Sequence, residues 1–202
     1  MRNMSWRLIG LAGAMVISAG ISAPPAQAGY VVTLTQSGSN VVANGSGIID
    51  TTGLVFSENT GAASALTFPI EGELITGLAT TSDLYDGSFT PFSGFGSGGQ
   101  TFASSASGDI VDLDVGSGFL YLPTGYSGAS LMSSATWDNT TLAMLGATPG
   151  TYEWTWGSGA NQNFTLDVVA PAAVPESSSL ALLALPLGLT MLLTGWRGAK
   201  GF

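Results

Sequence analysis

Short apolar runs alternate with turns rich in Gly, Ser, Thr and Asn throughout residues 29–169. Tyr30, Val32 and Leu34 share one face of an extended run, and a turn over residues 37–40 leads into a second run, which predicts a β-hairpin. Nine strands are predicted after the first, over residues 41–43, 65–70, 73–78, 101–104, 110–115, 119–122, 132–137, 151–156 and 163–169. Their spacing of about 8–12 residues is typical of a single antiparallel β-sandwich, jelly-roll-like or similar, in a mainly β protein.

The last two predicted strands alternate clearly. Residues 151–156 set three aromatic side chains on one face, and residues 163–169 do the same with three apolar side chains. Because a glycine-containing turn joins them, we expect these strands to pair with their aromatic residues in the core. One short helix is predicted over residues 140–145, bounded by Asn139 and Gly146.

A stretch rich in Gly and Ser, residues 87–108, contains four phenylalanines. These are Phe89, Phe92, Phe95 and Phe102. We expect the rings to cap the open end of the sandwich while Gly and Ser supply the turns. Stacking of an exposed ring on a sugar is the alternative.

The first 28 residues have the three parts of a secretory signal peptide. Residues 1–7 are basic, residues 8–21 are apolar, and the segment ends on small residues at Ala26 and Ala28. This order predicts a signal helix that signal peptidase removes after Ala28. Since the chain has no cysteine, an exported domain would be held together by packing and not by disulfides.

The C-terminal residues form a second apolar segment. Residues 180–196 are uncharged and rich in Leu. As a helix they would span roughly 25 Å, against about 30 Å for the hydrocarbon core of a bilayer. They follow a polar linker, residues 170–179, and precede a basic tail, residues 197–202, that carries Arg197 and Lys200. Because Lys and Arg are enriched on the cytoplasmic side of membrane helices, we predict a transmembrane helix with this tail in the cytoplasm.

The linker, the apolar segment and the basic tail together resemble a known sorting signal. Val174, Pro175 and Glu176, followed by a Ser-rich step and a Leu-rich helix, are similar to the PEP-CTERM signal of Gram-negative bacteria. Ser177 stands where that family usually has a second proline. The resemblance implies that exosortase, a membrane protease-transpeptidase, recognises the motif and removes the tail. It also implies an inner-membrane precursor and a mature form at the cell surface or outside the cell, in bacteria that make exopolysaccharide and biofilm.

Parts of the middle region are also similar to a body that recurs in PEP-CTERM proteins. The similar runs are Tyr121–Tyr126, Ser134–Trp137 and Leu145–Gly157. We associate no activity with that body, so this resemblance supports the sorting prediction and adds no chemistry.

Charge is distributed unevenly along the 202 residues. The four cations lie at the two ends of the chain, as Arg2, Arg7, Arg197 and Lys200, and the chain has no His. Of the thirteen acids, all but Glu176 lie in the middle, which leaves twelve there. This composition excludes Ser-His-Asp and Cys-His catalysis and metal sites built on His or Cys. It also disfavours binding to nucleic acid.

Carboxylates are the groups left for catalysis or metal binding. Glu71 and Glu73, two apart and therefore on one face if they share a strand, could serve a glycoside hydrolase, although their position favours the wet side of a half-buried strand. Asp109, Asp112 and Asp114 beside a glycine turn could bind Ca²⁺. Here too, alternation with apolar residues favours a solvated face. No other cofactor is expected.

We therefore expect a non-catalytic cell-surface or extracellular-matrix protein associated with exopolysaccharide. The main alternative is a carbohydrate-binding module that uses Phe92, Tyr126 or Trp137, whose rings could stack on sugars. The less favoured alternative is the glycoside hydrolase.

Overall fold

The computed structural model describes residues 29–61 and 64–172. Within these residues the chain forms thirteen strands and one short helix. In chain order they are β1 (Tyr30–Ser37), β2 (Asn40–Gly47), β3 (Val55–Gly61), β4 (Leu66–Phe68), β5 (Glu73–Thr76), β6 (Thr81–Asp86), β7 (Thr101–Phe102), β8 (Ser105–Gly108), β9 (Val111–Asp114), β10 (Phe119–Pro123), β11 (Leu131–Trp137), α1 (Leu142–Leu145), β12 (Gly150–Thr155) and β13 (Asn163–Val169).

The strands form two sheets that enclose one main core. The six-stranded sheet has the order β12-β13-β1-β2-β11-β8, and the seven-stranded sheet has the order β3-β6-β10-β9-β5-β4-β7. Side chains from both sheets meet in the core, among them Leu34, Leu113, Leu120 and Leu166. The prediction of a mainly β protein with a sandwich of two sheets is confirmed.

The prediction that the sandwich is purely antiparallel needs one correction. β1 pairs antiparallel with β2, but its other edge pairs parallel with β13, from Tyr30 opposite Phe164 to Thr35 opposite Val169. The first and last strands are neighbours inside the six-stranded sheet, and the other edge of β13 pairs antiparallel with β12. This register sets apolar side chains of β1 beside apolar side chains of β13, all facing the core.

The alternation of polar and apolar residues predicted the strands that bury one face. The hairpin β1–β2 is confirmed, and so is the pairing of β12 with β13, whose Trp154 and Phe164 are buried. Three strands were not predicted, namely β3, β6 and β8. β3 and β8 are edge strands with mostly exposed side chains, so they need no apolar face that a sequence pattern could show. β6 carries Asp and Ser among its buried residues.

The Gly- and Ser-rich stretch does cap the core, through two of its four phenylalanines. Phe89 and Phe95 are buried, and their rings pack edge-on against Trp156 at 5.8 Å and Trp154 at 6.3 Å between centroids. Phe92 and Phe102 remain exposed. The capping prediction is therefore confirmed for Phe89 and Phe95 and wrong for Phe92 and Phe102.

The predicted short helix is present as α1. The hydroxyl of Thr141 accepts a hydrogen bond from the backbone N–H of Met144, and Gly146 ends the helix at φ 66°. Among residues 29–61 and 64–172, no helix has the length and apolar character to cross a bilayer. The predicted signal helix (1–28), sorting motif and transmembrane helix (180–196) lie outside the described residues and stay predictions.

Candidate functional site

A buried chain of hydroxyl groups connects the two sheets. Tyr30 Oη lies 2.5 Å from Ser133 Oγ, and Ser133 donates to Thr76 Oγ1 at 2.6 Å. Thr76 in turn donates to the carbonyl of Val111. Because the Ser133 proton goes to Thr76, Tyr30 must be the donor to Ser133. Burial raises the pKa of Tyr30 to about 12, so the phenol keeps this proton throughout the neutral range.

Gly45 makes room for this chain. A β-carbon at this position would lie 2.3 Å from Tyr30 Oη and 2.8 Å from Ser133 Oγ. The glycine is therefore required by the close approach of the phenol oxygen to strand β2. The hydroxyl groups therefore link β1 and β11 of the six-stranded sheet to β5 of the other sheet.

A groove runs over the outer face of the six-stranded sheet, next to the buried hydroxyl groups. It has a volume of about 610 Å³ and crosses β1, β2, β11 and β8. Ser133 of β11 and Gly45 of β2 form part of its floor. We call this feature the hydroxyl groove, after the outward-facing side chains that line it: Thr33, Asn44, Ser46, Ser107 and Ser134, together with Val31 and Met132.

The strand register places four polar side chains of the groove in one row. Thr33 lies opposite Asn44, Asn44 opposite Ser134, and Ser134 opposite Ser107. The hydroxyl oxygens of Ser107 and Ser134 are 2.8 Å apart. The row therefore runs across the four strands at right angles to the chain direction. None of the side chains that line the groove is ionisable.

The outer face of the seven-stranded sheet is different, because it gathers carboxyl groups. Val111 and Leu113 face the core, so Asp112 and Asp114 of β9 face outward. Glu73 of β5 lies directly opposite Asp114. We call Glu73, Asp112 and Asp114 the acid face. Like charges opposite each other on a sheet repel, and residues 29–172 contain no Lys, Arg or His that could neutralise them.

Burial raises the pKa of two carboxyl groups of the acid face, Asp112 and Glu73. Asp112 is only 4% exposed, and its Oδ1 has no hydrogen-bond partner among the described residues. Burial raises the pKa of Asp112 well above its usual value, with repulsion from Glu73 and Asp114 adding to the effect. Partial burial, with repulsion from Asp114 and Glu71, raises the pKa of Glu73 to about 7.

The acid residues predicted from sequence are only partly brought together. Asp112 and Asp114 share the acid face, but Asp109 is joined to the other sheet, where its carboxylate accepts from the backbone N–H of Met132 at 2.9 Å. Among the described residues, no three His, Cys, Asp or Glu side chains are placed to hold a metal ion. The expectation of a solvated face is wrong for Asp112, which is buried.

The two glutamates also differ from expectation. Glu71 lies in the exposed turn before β5, whereas Glu73 is the first residue of that strand. The condition that they share one strand is therefore not met. Glu73 instead has Asp114 as its neighbour, across the strand pair.

The three aromatic residues proposed for sugar binding have different environments. Trp137 is 1% exposed, and its Nε1 donates to the carbonyl of Thr101 at 3.1 Å, so its ring faces are covered. Tyr126 is partly buried, and its hydroxyl accepts from the backbone N–H of Ile49. Phe92 is 75% exposed. The structure therefore leaves Phe92 as the accessible ring of the three and gives Trp137 a role in the core.

Sequence reasoning missed the hydroxyl groove and the interior hydroxyl chain. The alternation of β1 was visible in the sequence, but the groove depends on the order of four strands from distant parts of the chain. In comparisons with protein-family models, curated proteins and solved structures, the chain matched none. Function is therefore inferred from the residues themselves.

Proposed function

We propose that this protein is exported and serves, without catalysis, at the cell surface or in the extracellular matrix, in association with exopolysaccharide. The observation that carries the proposal is the separation of charge along the chain. All four cations flank apolar segments at the two ends, and the β domain between them has twelve acids and no cation. Basic clusters beside apolar segments are what export and membrane orientation require.

The proposal assigns two processing sites. Signal peptidase cuts after Ala28, with Ala26 and Ala28 as its small residues. Exosortase recognises Val174, Pro175 and Glu176 in the inner-membrane precursor and releases the tail to which Arg197 and Lys200 belong. The mature form then lies on the surface or outside the cell.

The environments of three carboxylates support a structural role for them. Asp83 accepts from the amide of Asn59 at 3.0 Å and from the N–H of Gly125 at 2.8 Å. Asp114 accepts from the N–H of Ser117, and Asp167 accepts from the hydroxyl of Thr151. Groups held in this way fix turns and strand pairs.

Mass spectrometry of the chain termini tests the proposal. The chain is expressed in a Gram-negative host with exosortase, and the surface and secreted fractions are analysed. We expect a mature form that begins at Gly29 and lacks residues 180–202. A Pro175→Ala, Glu176→Ala double variant should keep the tail, whereas Ser179→Ala, the matched control in the linker, should lose it. A wild-type chain that retains the tail in every fraction would contradict the proposal.

One observation favours a second candidate function, glycoside hydrolysis at the acid face. A carboxyl group whose pKa lies near 7 suits a general acid, and Glu73 has an acidic neighbour in Asp114. A panel of polysaccharides incubated with the full chain tests it. Hydrolysis that Glu73→Gln abolishes, and that Glu71→Gln in the exposed turn leaves intact, would establish this function. We expect no hydrolysis.

A further inference from the structure

We infer that the hydroxyl groove binds an uncharged polysaccharide chain, laid across strands β1, β2, β11 and β8. The inference rests on the proposed location outside the cell, and it names the partner and the surface that contacts it. The sugar site then lies on the outer face of the six-stranded sheet and not at Phe92, Tyr126 or Trp137.

The row of polar side chains has a spacing that suits a sugar polymer. Thr33, Asn44, Ser134 and Ser107 lie on successive strands, which are about 4.8 Å apart, so the row is about 14 Å long. An extended polysaccharide advances by a similar distance with each pyranose ring. Hydroxyl and amide groups both donate and accept hydrogen bonds, as sugar hydroxyls do. The groove volume of about 610 Å³ lies within the range of small-ligand sites, about 300–1,000 Å³.

Charge argues against an acidic ligand chain. The side chains that line the groove carry no charge, whereas beyond Thr33 the row meets Asp167, whose carboxylate accepts from Thr151. No Lys, Arg or His between residues 29 and 172 could neutralise an acidic sugar. An anionic polysaccharide would therefore be repelled, whereas a neutral one would exchange hydrogen bonds with water for hydrogen bonds with the groove.

The groove has a fixed floor and an unusual strand residue. Ser133 beneath it is held by the hydrogen bond from Tyr30, and Gly45 lies close against the phenol oxygen, so the surface is formed before a ligand arrives. Asn44 lies exposed in the middle of β2, between two neighbouring strands. Asn is disfavoured in strands, and a β-branched residue would stabilise this position. A locally unfavourable residue at a solvent-facing site points to a binding role.

Two variants separate binding from folding. Asn44→Val and Ser46→Val each remove the polar groups of an exposed groove residue and introduce a residue that favours strands. Thr136→Val is the matched control, since Thr136 lies on the outer face of β11, two residues beyond Ser134 and outside the groove lining. All three variants should keep or raise the melting temperature.

The experiment is affinity electrophoresis of the full chain in a detergent without a sugar headgroup. The gels contain dextran, mannan or galactan as neutral probes and alginate as an acidic probe. We expect retardation by at least one neutral polysaccharide and none by alginate. Asn44→Val and Ser46→Val should each weaken the interaction by about fivefold to tenfold, the effect of losing about one hydrogen bond, and Thr136→Val should not change it.

Three results would overturn the inference. The first is that none of the three neutral probes retards the wild-type chain. The second is that the double variant Asn44→Val, Ser46→Val binds as strongly as the wild type. The third is that Phe92→Ala abolishes binding while the double variant keeps it. Processing of the tail is measured separately by terminal mass spectrometry. A chain that is processed but binds no neutral probe would refute the groove and leave the proposed export intact.

Discussion

The two sheets of the sandwich present opposite chemistry on their outer faces. The six-stranded sheet exposes small uncharged groups, with Asn44 and Ser134 in the row across the hydroxyl groove. The seven-stranded sheet sets Glu73 opposite Asp114 and buries Asp112 nearby, without a cation among the described residues. The acid face and the hydroxyl groove therefore lie on different sheets, although Asp167 adjoins the groove beside Thr33. One face is suited to a neutral ligand, and the other responds to pH.

The largest effect is expected where the two sheets are joined by Trp137. Its ring is buried, and its Nε1 bonds to Thr101 of the seven-stranded sheet. Trp137→Ala should lower the free energy of unfolding by about 3–5 kcal/mol, because a large cavity opens between the sheets. Urea denaturation of the full chain measures this. Phe92→Ala, at a ring that is 75% exposed, should change stability by less than about 0.5 kcal/mol. Equal effects would mean that Trp137 does not join the sheets.

A smaller effect is expected at Gly45, where one added methyl group meets the hydroxyl chain. Gly45→Ala should destabilise the domain by about 1–3 kcal/mol, since the new β-carbon would lie 2.3 Å from Tyr30 Oη. Gly99→Ala is the control, because a β-carbon there contacts nothing within 4 Å. In the background of Tyr30→Phe, which removes the obstructing oxygen, Gly45→Ala should cost less, as a double-mutant cycle would show. Additive costs would contradict this contact.

The smallest effect is expected from titration of the acid face. The pKa of Glu73 is raised from 4.5 to about 7 in the folded chain, so its contribution to stability is complete below pH 4.5 and is lost as the pH rises through 7. With allowance for its half-exposed position, the loss should be about 1 kcal/mol. Glu73→Gln should remove this part of the pH dependence in thermal unfolding measured between pH 4.5 and 8.

The control for this titration lies on the other sheet. Glu153 is exposed and accepts from the amide of Asn163, a bond that a glutamine can replace. Glu153→Gln is therefore the matched control for loss of one glutamate charge, and a Glu73→Gln profile that coincides with the wild type would refute the titration. A rise in melting temperature with Ca²⁺ that Asp112→Asn abolishes would instead assign the acid face to a cation.

Much of the fold could be predicted because each of the main strands buries one face. Polar and apolar residues alternate in β1 and in β12–β13, and these strands pair with strands that are close to them in sequence, so the pattern predicts them. The burial of Asp112 could not be predicted in this way, since it depends on Ile75 of β5 and Tyr121 of β10, which flank it in the sheet. The hydroxyl groove has the same origin, because Ser107 joins its row only through the pairing of β8 with β11.

The parallel pairing of β1 with β13 has a mechanical consequence. Tyr30 lies beside Phe164 and Thr35 beside Val169, so the domain begins at one end of this strand pair and finishes at the opposite end. Tension applied between these two ends would slide one strand lengthwise along the other. All the backbone hydrogen bonds of the ladder would then share the load at once, and would not open one after another. A domain held at its C-terminal end and pulled at its N-terminal end would therefore be loaded in shear along this strand pair.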